Sequence, residues 1–504
     1  MTVDRPGATT LARAFLARAI GTGSVPALAA LAACTAPSLP PAPIRPAAQA
    51  HILLERRFED PGLLRFVQQA LGRTDHGSDT GQAAQGAAPD VAPVWNLERL
   101  TLAAIYFHPD LQVAHSQLQL ALSHAVNARA RPAPSWSAMF GRGAGAAVAA
   151  PWVVGAAVEF LLEPGGRRRW EIAQADELVT AARADVRQAG WQVRARVYAA
   201  LVDQWDAQRR IEPLREQLRL QSRRVELIER RIDAGEAPRA ESRRELALRD
   251  QCASALAQAE TDLARARVQL AQAIGVPAAA LDSISVPIDW MDRIAPIDTA
   301  AVEGPLRTAA LNRRTDIVAA LARIDAAQDD LQAELTRRWP DLRVGPGYQF
   351  DLGANKYTVS AAVDWPRSTE GPVGEALARR DLAVAELLGL QAALIAQVDR
   401  ALSEWRSATD AAPALLSALA RAEQGERAAQ DQFDAGGLDR PALLAARIDR
   451  LEAARLGRSA LVRQRRALAL LEDALQSPLE AGQPVPETLA AGAAPERSGL
   501  QGTR

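Results

Sequence analysis

Two spacings of apolar residues alternate along the chain. Most of it has helical spacing, as where Val179, Val186 and Val193 recur every seven positions. The stretch "KYTVSAAVDWP" differs, because every second residue from Tyr357 to Trp365 is apolar or alanine and the residues between them are mostly polar. A period of two is the signature of a β-strand with one apolar face. The pattern therefore predicts long helices interrupted by a few strands.

The same succession of elements is predicted in each half of the chain. It consists of an opening helix, two strands, a very long helix, a glycine turn and a return helix. In the first half the predicted elements are 97–131, 135–146, 151–161, 168–233, Gly235 and 238–274. In the second half they are 303–338, 341–352, 356–365, 374–434, Gly436–Gly437 and 440–476.

Matching landmarks in both halves indicate an internal duplication. "HPDLQVAHSQLQLA" is echoed by "RTDIVAALARIDAA", with Asp110 matching Asp316, and "RRIDAGEAPRAE" is echoed by "DQFDAGGLDRPA". The expected fold class is mostly α with a small antiparallel β part, built from a duplicated unit of helix, strand pair, long helix and helix. The repeats are assigned to 96–275 and 303–477, with an inter-repeat segment at 276–302.

Aromatic and branched residues concentrate in the predicted strands. Strands of about ten residues match the length of transmembrane β-strands. The residues expected to face lipid are Tyr348, Phe350, Tyr357, Val359, Val363 and Trp365. Four strands cannot close a barrel, and lipid does not tolerate an open sheet edge, so a membrane barrel would need several chains. The alternative is two hairpins packed on a soluble helical core.

The N-terminal region has the features of a secretory signal. Arg5, Arg13 and Arg18 precede an apolar run that ends in "LAAC", and a proline-rich stretch follows. "LAAC" resembles the bacterial lipobox, which implies a signal peptide over 1–33 and a diacylglycerol and acyl modification on Cys34. The alternative is a chance cysteine in an alanine-rich stretch. Residues 34–95 are assigned to a tether and irregular segment, and 478–504 to a disordered tail.

The charge balance and the types of side chain argue against several classes of function. The chain has 59 basic and 60 acidic residues, which argues against a nucleic-acid partner. Its two cysteines and five histidines form no metal-ligand spacing, and no nucleophile–base pair or phosphate loop occurs. We therefore expect no metal, no cofactor other than the lipid and no enzymatic activity. No run of 18 consecutive apolar residues occurs, so no membrane-spanning helix is expected.

The order of these features resembles TolC-type outer-membrane factors, the outer channels of tripartite efflux and secretion systems. The resemblance covers about residues 95–476 and includes "VWNLERLTLAAIYFHPDL", "ALNRRTDI", "LAQAIGVP" and "EPGGRRRWEIAQA". The lipobox fits the lipid-anchored branch of that family.

The resemblance implies a homotrimer whose twelve strands form one barrel on a helical tunnel. It also implies a location in a Gram-negative-type outer membrane, with outer-membrane lipid, a periplasmic adaptor and an inner-membrane pump as partners. The tips expected to meet the adaptor are Gly235, Glu236, Gly436 and Gly437.

One position departs from the family pattern. Members often carry aspartates shortly after the second tip, where this chain has Ala442 and Ala445. The acidic residues left as aperture candidates are Glu241 and Asp439, and either is equally well explained as a helix-start acid. The alternative functions are a periplasmic coiled-coil adaptor or structural protein, which would be expected to have one hairpin flanked by β-rich domains, and an enzyme on a helical scaffold.

Overall fold

The computed structural model describes residues 45–74, 94–142, 152–163, 165–294, 297–351, 353–365 and 368–480. The predicted signal peptide, Cys34 and most of the predicted C-terminal tail lie outside the described residues. Residues 143–146, the predicted end of the first strand, also lie outside them.

Long helices dominate the described chain, and four strands form its sheet. Short 3₁₀ helices span Ala278–Ser283 and Asp289–Asp292, and a π-helical turn spans Val302–Leu306. The helices are α1 (Pro46–Leu54), α2 (Pro61–Thr74), α3 (Leu97–Phe107), α4 (Pro109–Arg129), α5 (Arg167–Asp233), α6 (Arg239–Ile274), α7 (Thr299–Ala301), α8 (Arg307–Arg313), α9 (Thr315–Thr336), α10 (Glu370–Asp434) and α11 (Arg440–Leu475). The strands are β1 (Ser135–Arg142), β2 (Trp152–Leu162), β3 (Asp341–Asp351) and β4 (Ala354–Asp364).

The predicted mostly α fold with a small antiparallel β part is confirmed, but both opening helices were predicted as unbroken and are interrupted. In the first half the break falls at His108, because Pro109 lacks an N–H and its ring would clash with the preceding turn. In the second half Arg314 is extended, with φ −55° and ψ 142°. Its guanidinium donates to the carbonyl oxygen of Ala474 at 2.6 Å, at the end of α11. A contact distant in sequence therefore accompanies the second break.

The four strands form one antiparallel sheet in the order β1-β2-β3-β4. The two halves of the chain meet in the central pairing of β2 with β3, where Ala156 lies opposite Tyr348. Tyr348 in turn lies opposite Tyr357 of β4. Within the described residues, the outer edges of β1 and β4 have no neighbouring strand.

The long helices repeat this side-by-side order. Nearer the sheet, α4 packs on α5, α5 on α9 and α9 on α10; further away, α6 packs on α5, α5 on α11 and α11 on α10. The first long helix therefore lies inside each row. Helices α4 and α6 end the rows on one side, and α10 ends both rows on the other.

The largest hydrophobic core surrounds the middle of α5. Tyr198, Leu201 and Trp205 are almost fully buried there, together with residues of α3, α6 and the 3₁₀ helices. Arg465 of α11 is also 1% exposed, and its guanidinium donates to the carbonyl oxygens of Met291 and Trp290 at 3.2 and 3.0 Å. It further pairs with Glu480 at 2.6 Å. Its burial is tolerable because its donors are used.

Part of the segment assigned to a tether is folded into this core. Phe58 and Leu63 are essentially buried, and Phe58 contacts Trp95 edge to face with ring centroids 4.7 Å apart. Arg56 donates to the carbonyl oxygens of Phe107 and Gly275, both at 2.7 Å. These carbonyls lie at the ends of α3 and α6, so this arginine caps two helices at once.

We predict that Gly275→Ala destabilises the core. Gly275 has φ +86°, and an added Cβ would lie 3.1 Å from both His108 Cα and Phe107 O. Strain and crowding should together lower the free energy of unfolding by about 1–2 kcal/mol, measured as a lower transition temperature by circular dichroism in detergent.

Gly457→Ala is the matched control. Gly457 lies inside α11 with no atom within 4 Å of an added Cβ. That change should leave stability equal or slightly higher, because alanine favours helix. Equal transition temperatures for the two variants would contradict the prediction.

Candidate functional site

One face of the sheet is apolar across all four strands. The register places Tyr348 beside Tyr357 and Leu342 beside Val363, and the same face continues over β1 and β2. These side chains are open to the surroundings, with Tyr357 85% and Val359 80% exposed. Two polar residues, Arg142 and Asn355, also lie on this face, at its end away from the helices. The other members of this apolar face are Trp136, Ala138, Phe140, Trp152, Val154, Ala156, Val158, Phe160, Leu162, Leu342, Val344, Pro346, Tyr348, Phe350, Tyr357, Val359, Ala361 and Val363.

The residues singled out in the sequence are brought together on this face. Tyr348, Phe350, Tyr357, Val359 and Val363 share it by register, and Trp365 follows β4 at the same alternation. Trp365 is 73% exposed, whereas Phe350 is half-buried. Two hairpins packed on a soluble helical core would bury these side chains, whereas here they are exposed. A contiguous exposed apolar surface marks an interaction with lipid or protein.

The opposite face of the sheet is polar and carries small residues. Lys356 pairs with Asp351 at 2.5 Å, and Arg343 pairs with Asp364 at 3.2 Å. Gly345 is buried, and a Cβ there would lie 1.8 Å from the carbonyl oxygen of Val158. The two faces therefore differ sharply in chemistry, which suits a wall between an apolar and an aqueous phase.

Aromatic side chains are found at both ends of the apolar face. At the end away from the helices, Phe140 and Trp152 have ring centroids 5.3 Å apart, and the Arg142 guanidinium lies 5.6 Å from the Trp152 ring centroid. At the helical end, Trp365 is exposed and Trp339 is 55% exposed. Amphipathic aromatics in two bands are typical of the interfaces of a bilayer.

The two glycine tips have the same backbone geometry. Gly235 and Gly436 have φ of +78° and +75°, in the left-handed region that glycine adopts at little cost. The amide N–H of Glu236 donates to Arg231 O at 2.8 Å, and that of Gly437 donates to Gln432 O at 2.8 Å. Both long helices therefore end in the same hydrogen-bonded turn, and all four predicted tip residues are exposed.

Asp439 has two structural partners near the second tip. One carboxylate oxygen accepts from the amide of Ala442 at 3.0 Å, which makes Asp439 the N-cap of α11. The other accepts from Arg231 of α5 at 3.0 Å. Asp439 therefore links the two tips, which sequence reasoning did not anticipate. Glu241 lies in the first turn of α6 and is half-buried.

A group of carboxylates lies on α5 and α9 below the sheet. Burial, and then the nearby carboxylates of Asp325 and Asp329, raise the pKa of Glu177. Burial and Asp325 likewise raise the pKa of Asp329. Within the described residues, no group of three or more His, Cys, Asp or Glu side chains has an arrangement that could hold a metal ion.

Helix α10 carries an exposed apolar stretch. By length and composition alone, one 18-residue window of it is apolar enough to cross a membrane, with mean hydropathy 1.5 and 11% of the window buried. The window contains some polar residues, so it does not form an uninterrupted apolar run in the sequence. A single such helix is weak evidence for a membrane span. Its exposed side chains, such as Leu382 and Leu388, equally suit contact with another helix.

Comparison with known proteins agrees with this arrangement. The family model of outer membrane efflux proteins matches residues 103–276, which span α4, β1, β2, α5 and α6. The match covers about a third of the chain, which is similar to outer membrane efflux proteins over those residues. No curated protein sequence matches it. The matched model describes efflux proteins, which agrees with the expectation that the chain is not an enzyme.

Solved structures share the fold of this chain over most of its length. VceC of Vibrio cholerae is 20% identical, with a TM-score of 0.63 over 76% of this chain and 97% of VceC. The CmeC outer membrane channel of Campylobacter jejuni is 14% identical, with a TM-score of 0.63 over 82% and 97%. The open-state MtrE channel of Neisseria gonorrhoeae is 19% identical, with a TM-score of 0.58 over 76% and 89%.

Sequence reasoning missed some residues of interest. Glu159 projects from the polar face of β2, but the weak alternation of the first strand pair gave no reason to single it out. Arg56 and Arg465 were missed because an arginine that binds distant carbonyl oxygens has no local sequence signal.

We predict that Asp439 stabilises the start of α11 mainly as a cap. Asp439→Ala should lower the free energy of local unfolding at the start of α11 by about 1 kcal/mol, because the amide N–H of Ala442 loses its acceptor. Hydrogen exchange of the first turn, residues 440–444, should then accelerate by about fivefold.

Two controls separate the cap from the ion pair. Asp439→Asn keeps an acceptor for the cap, and Arg231→Gln removes only the ion pair of two partly exposed groups. Both variants should change the rate of hydrogen exchange little, because exposed ion pairs contribute about 0–1 kcal/mol to stability. If Asp439→Asn were as damaging as Asp439→Ala, the cap would not be the main effect.

Proposed function

We propose that this chain is the outer-membrane channel of a tripartite efflux or secretion system and acts as a homotrimer. The observation that carries the proposal is a four-stranded sheet with one exposed apolar face, one polar face and two edges that have no neighbouring strand among the described residues. The match of residues 103–276 to the model of outer membrane efflux proteins supports the same function.

The apolar face meets outer-membrane lipid in this proposal. Contact with lipid stabilises the exposed side chains of Val359 and Tyr357, whereas their exposure to water would cost free energy. Strands of 11 residues, such as β3 and β4, are long enough to cross the hydrocarbon layer when tilted. The aromatic bands then lie at the two interfaces, and the polar face lines the interior.

The unpaired edges require further copies of the chain. Backbone groups at the outer edges of β1 and β4 would be left without hydrogen bonds in hydrocarbon, so β4 of one copy pairs with β1 of the next. Three copies supply twelve strands. The exposed apolar side chains of α10, such as Leu382 and Leu388, then face those of α4 on the neighbouring copy, such as Leu120 and Val126.

The helices form a periplasmic tunnel whose tips meet an adaptor and, through it, an inner-membrane pump. The tips Gly235 and Gly436 are exposed, and the equal turn geometry of the two tips supports an internal duplication. Six adaptor contacts of two similar kinds would follow from three copies. Asp439 is engaged with Arg231, so Glu241 is the remaining acid for the aperture at the first tip.

The N-terminal end is proposed to carry a lipid anchor on Cys34. The basic residues, the apolar run and "LAAC" support cleavage before this cysteine. Acyl chains would hold the chain at the membrane without a spanning helix, in addition to the barrel.

We predict that Val359→Lys prevents stable insertion. A lysine on the lipid face near the middle of a strand costs about 2–4 kcal/mol. The amount of heat-modifiable trimer in outer-membrane fractions should fall several-fold. Thr358→Lys is the matched control, because the neighbouring residue lies on the polar face and should keep trimer near the wild-type amount. Equal loss in both variants, or a soluble monomer in the wild type, would overturn the membrane assignment.

We predict that Cys34→Ala abolishes acylation. Cells fed radiolabelled palmitate should label the wild-type protein but not this variant, because the acceptor sulfur is missing. Cys252→Ala is the control, since Cys252 is buried in the helical region. Label that persists in Cys34→Ala would show that the anchor lies elsewhere.

A further inference from the structure

Charged side chains on the polar face of the sheet are paired, with one exception in the described strands. Lys356 pairs with Asp351, Arg343 with Asp364, and Arg167 at the start of α5 lies 3.5 Å from Asp341. The remaining charged side chain is that of Glu159 on β2. No Arg, Lys or His forms an ion pair with it among the described residues.

A glycine gives the Glu159 carboxylate room to lie across the sheet. Its Oε1 accepts a long hydrogen bond of 3.4 Å from Ser360 Oγ on β4, two strands away. Gly345 of β3 lies between them, directly opposite Ser360 in the register. An added Cβ at Gly345 would lie 2.8 Å from Glu159 Cα, so a side chain there would obstruct this path.

The pairs Lys356–Asp351 and Arg343–Asp364 are each neutral, whereas Arg167 is shared among Asp341, Glu163 and Glu171. The described polar face therefore carries a net negative charge. Glu159 contributes to it a carboxylate that has no cationic partner and whose hydrogen-bond partner is a neutral serine. Glu159 lies near the helical end of its strand, three positions before Leu162. In a closed assembly, copies of the chain would place one such carboxylate each at the same level of the interior.

We propose that Glu159 makes the barrel interior of this channel favour cations. This inference rests on the proposed function, since it requires the polar face to line an aqueous pore. Rings of carboxylates attract cations and repel anions. The range of this effect is about 10 Å at 0.1 M salt and longer in dilute salt.

The test is the reversal potential of the purified full-length channel in planar bilayers under a KCl gradient at or below about 0.1 M. The ratio of potassium to chloride permeability should fall from wild type to Glu159→Gln and again to Glu159→Lys, by about twofold or more at each step. Dependence on the sign of the charge is expected from an electrostatic role and not from a packing role.

Two controls act on the same face without changing its net charge. The double variant Asp351→Asn with Lys356→Gln removes one charge of each sign and should keep the wild-type ratio. Ser360→Ala removes the hydrogen bond but keeps the carboxylate, and should also keep that ratio. Equal ratios for wild type, Glu159→Gln and Glu159→Lys would overturn the inference while leaving the channel function intact.

A second measurement tests the inference even where Glu159→Gln or Glu159→Lys does not assemble. Glu159→Cys in an already inserted channel can be modified with a negatively or a positively charged methanethiosulfonate. The permeability ratio should move in opposite directions with the two reagents, and the treated wild type should not respond. Movement in the same direction would overturn the inference, and absence of any pore in the wild type would overturn the proposed function together with it.

Discussion

Every backbone N–H and C=O group inside a bilayer must have a hydrogen-bond partner within the protein. The sheet of this chain satisfies that constraint only in its centre, where β2 and β3 join the two halves. Its outer edges on β1 and β4 remain unpaired among the described strands, and the apolar faces of α4 and α10 are exposed on the corresponding sides. In the proposed homotrimer, an identical neighbour on each side would satisfy both the sheet edges and the exposed helix faces.

The region between sheet and tips holds the two halves in register. Its core is apolar, and buried ionic contacts also join distant segments. Arg194 of α5 and Glu472 of α11 are both nearly fully buried and lie 3.0 Å apart. Removing Arg194 would leave the buried Glu472 carboxylate without its ion pair, which is far more costly than losing a surface pair. Such pairs fix which helices lie side by side, whereas apolar contacts alone would permit sliding.

The polar face of the sheet shows how the wall of the proposed channel would control charge. Lys356 and Asp351 neutralise each other between neighbouring strands, as do Arg343 and Asp364. The interior of the proposed barrel would then be wet but weakly charged. Gly345 leaves room for the Glu159 carboxylate to reach Ser360, so the glycine and Glu159 belong to one local arrangement.

The sequence by itself determined the features that depend on neighbouring residues. The period-two stretch gave β4 nearly to the residue, and helical spacing with glycine signals gave the ends of α5 and α6. The landmarks common to the two halves also gave the order of the elements, and with it the fold class. Periodicity and turn chemistry act over a few residues, so one sequence displays them directly.

Tertiary structure alone decided the contacts that join residues far apart in the chain. Arg56 on two helix ends, Arg314 at the second break and Asp439 beside Arg231 depend on segments brought together by folding. The same holds for Glu159, because only the register of three strands shows which charges cancel and which does not. An ion pair or a capped carbonyl is set by distance in space, and a sequence records only distance along the chain.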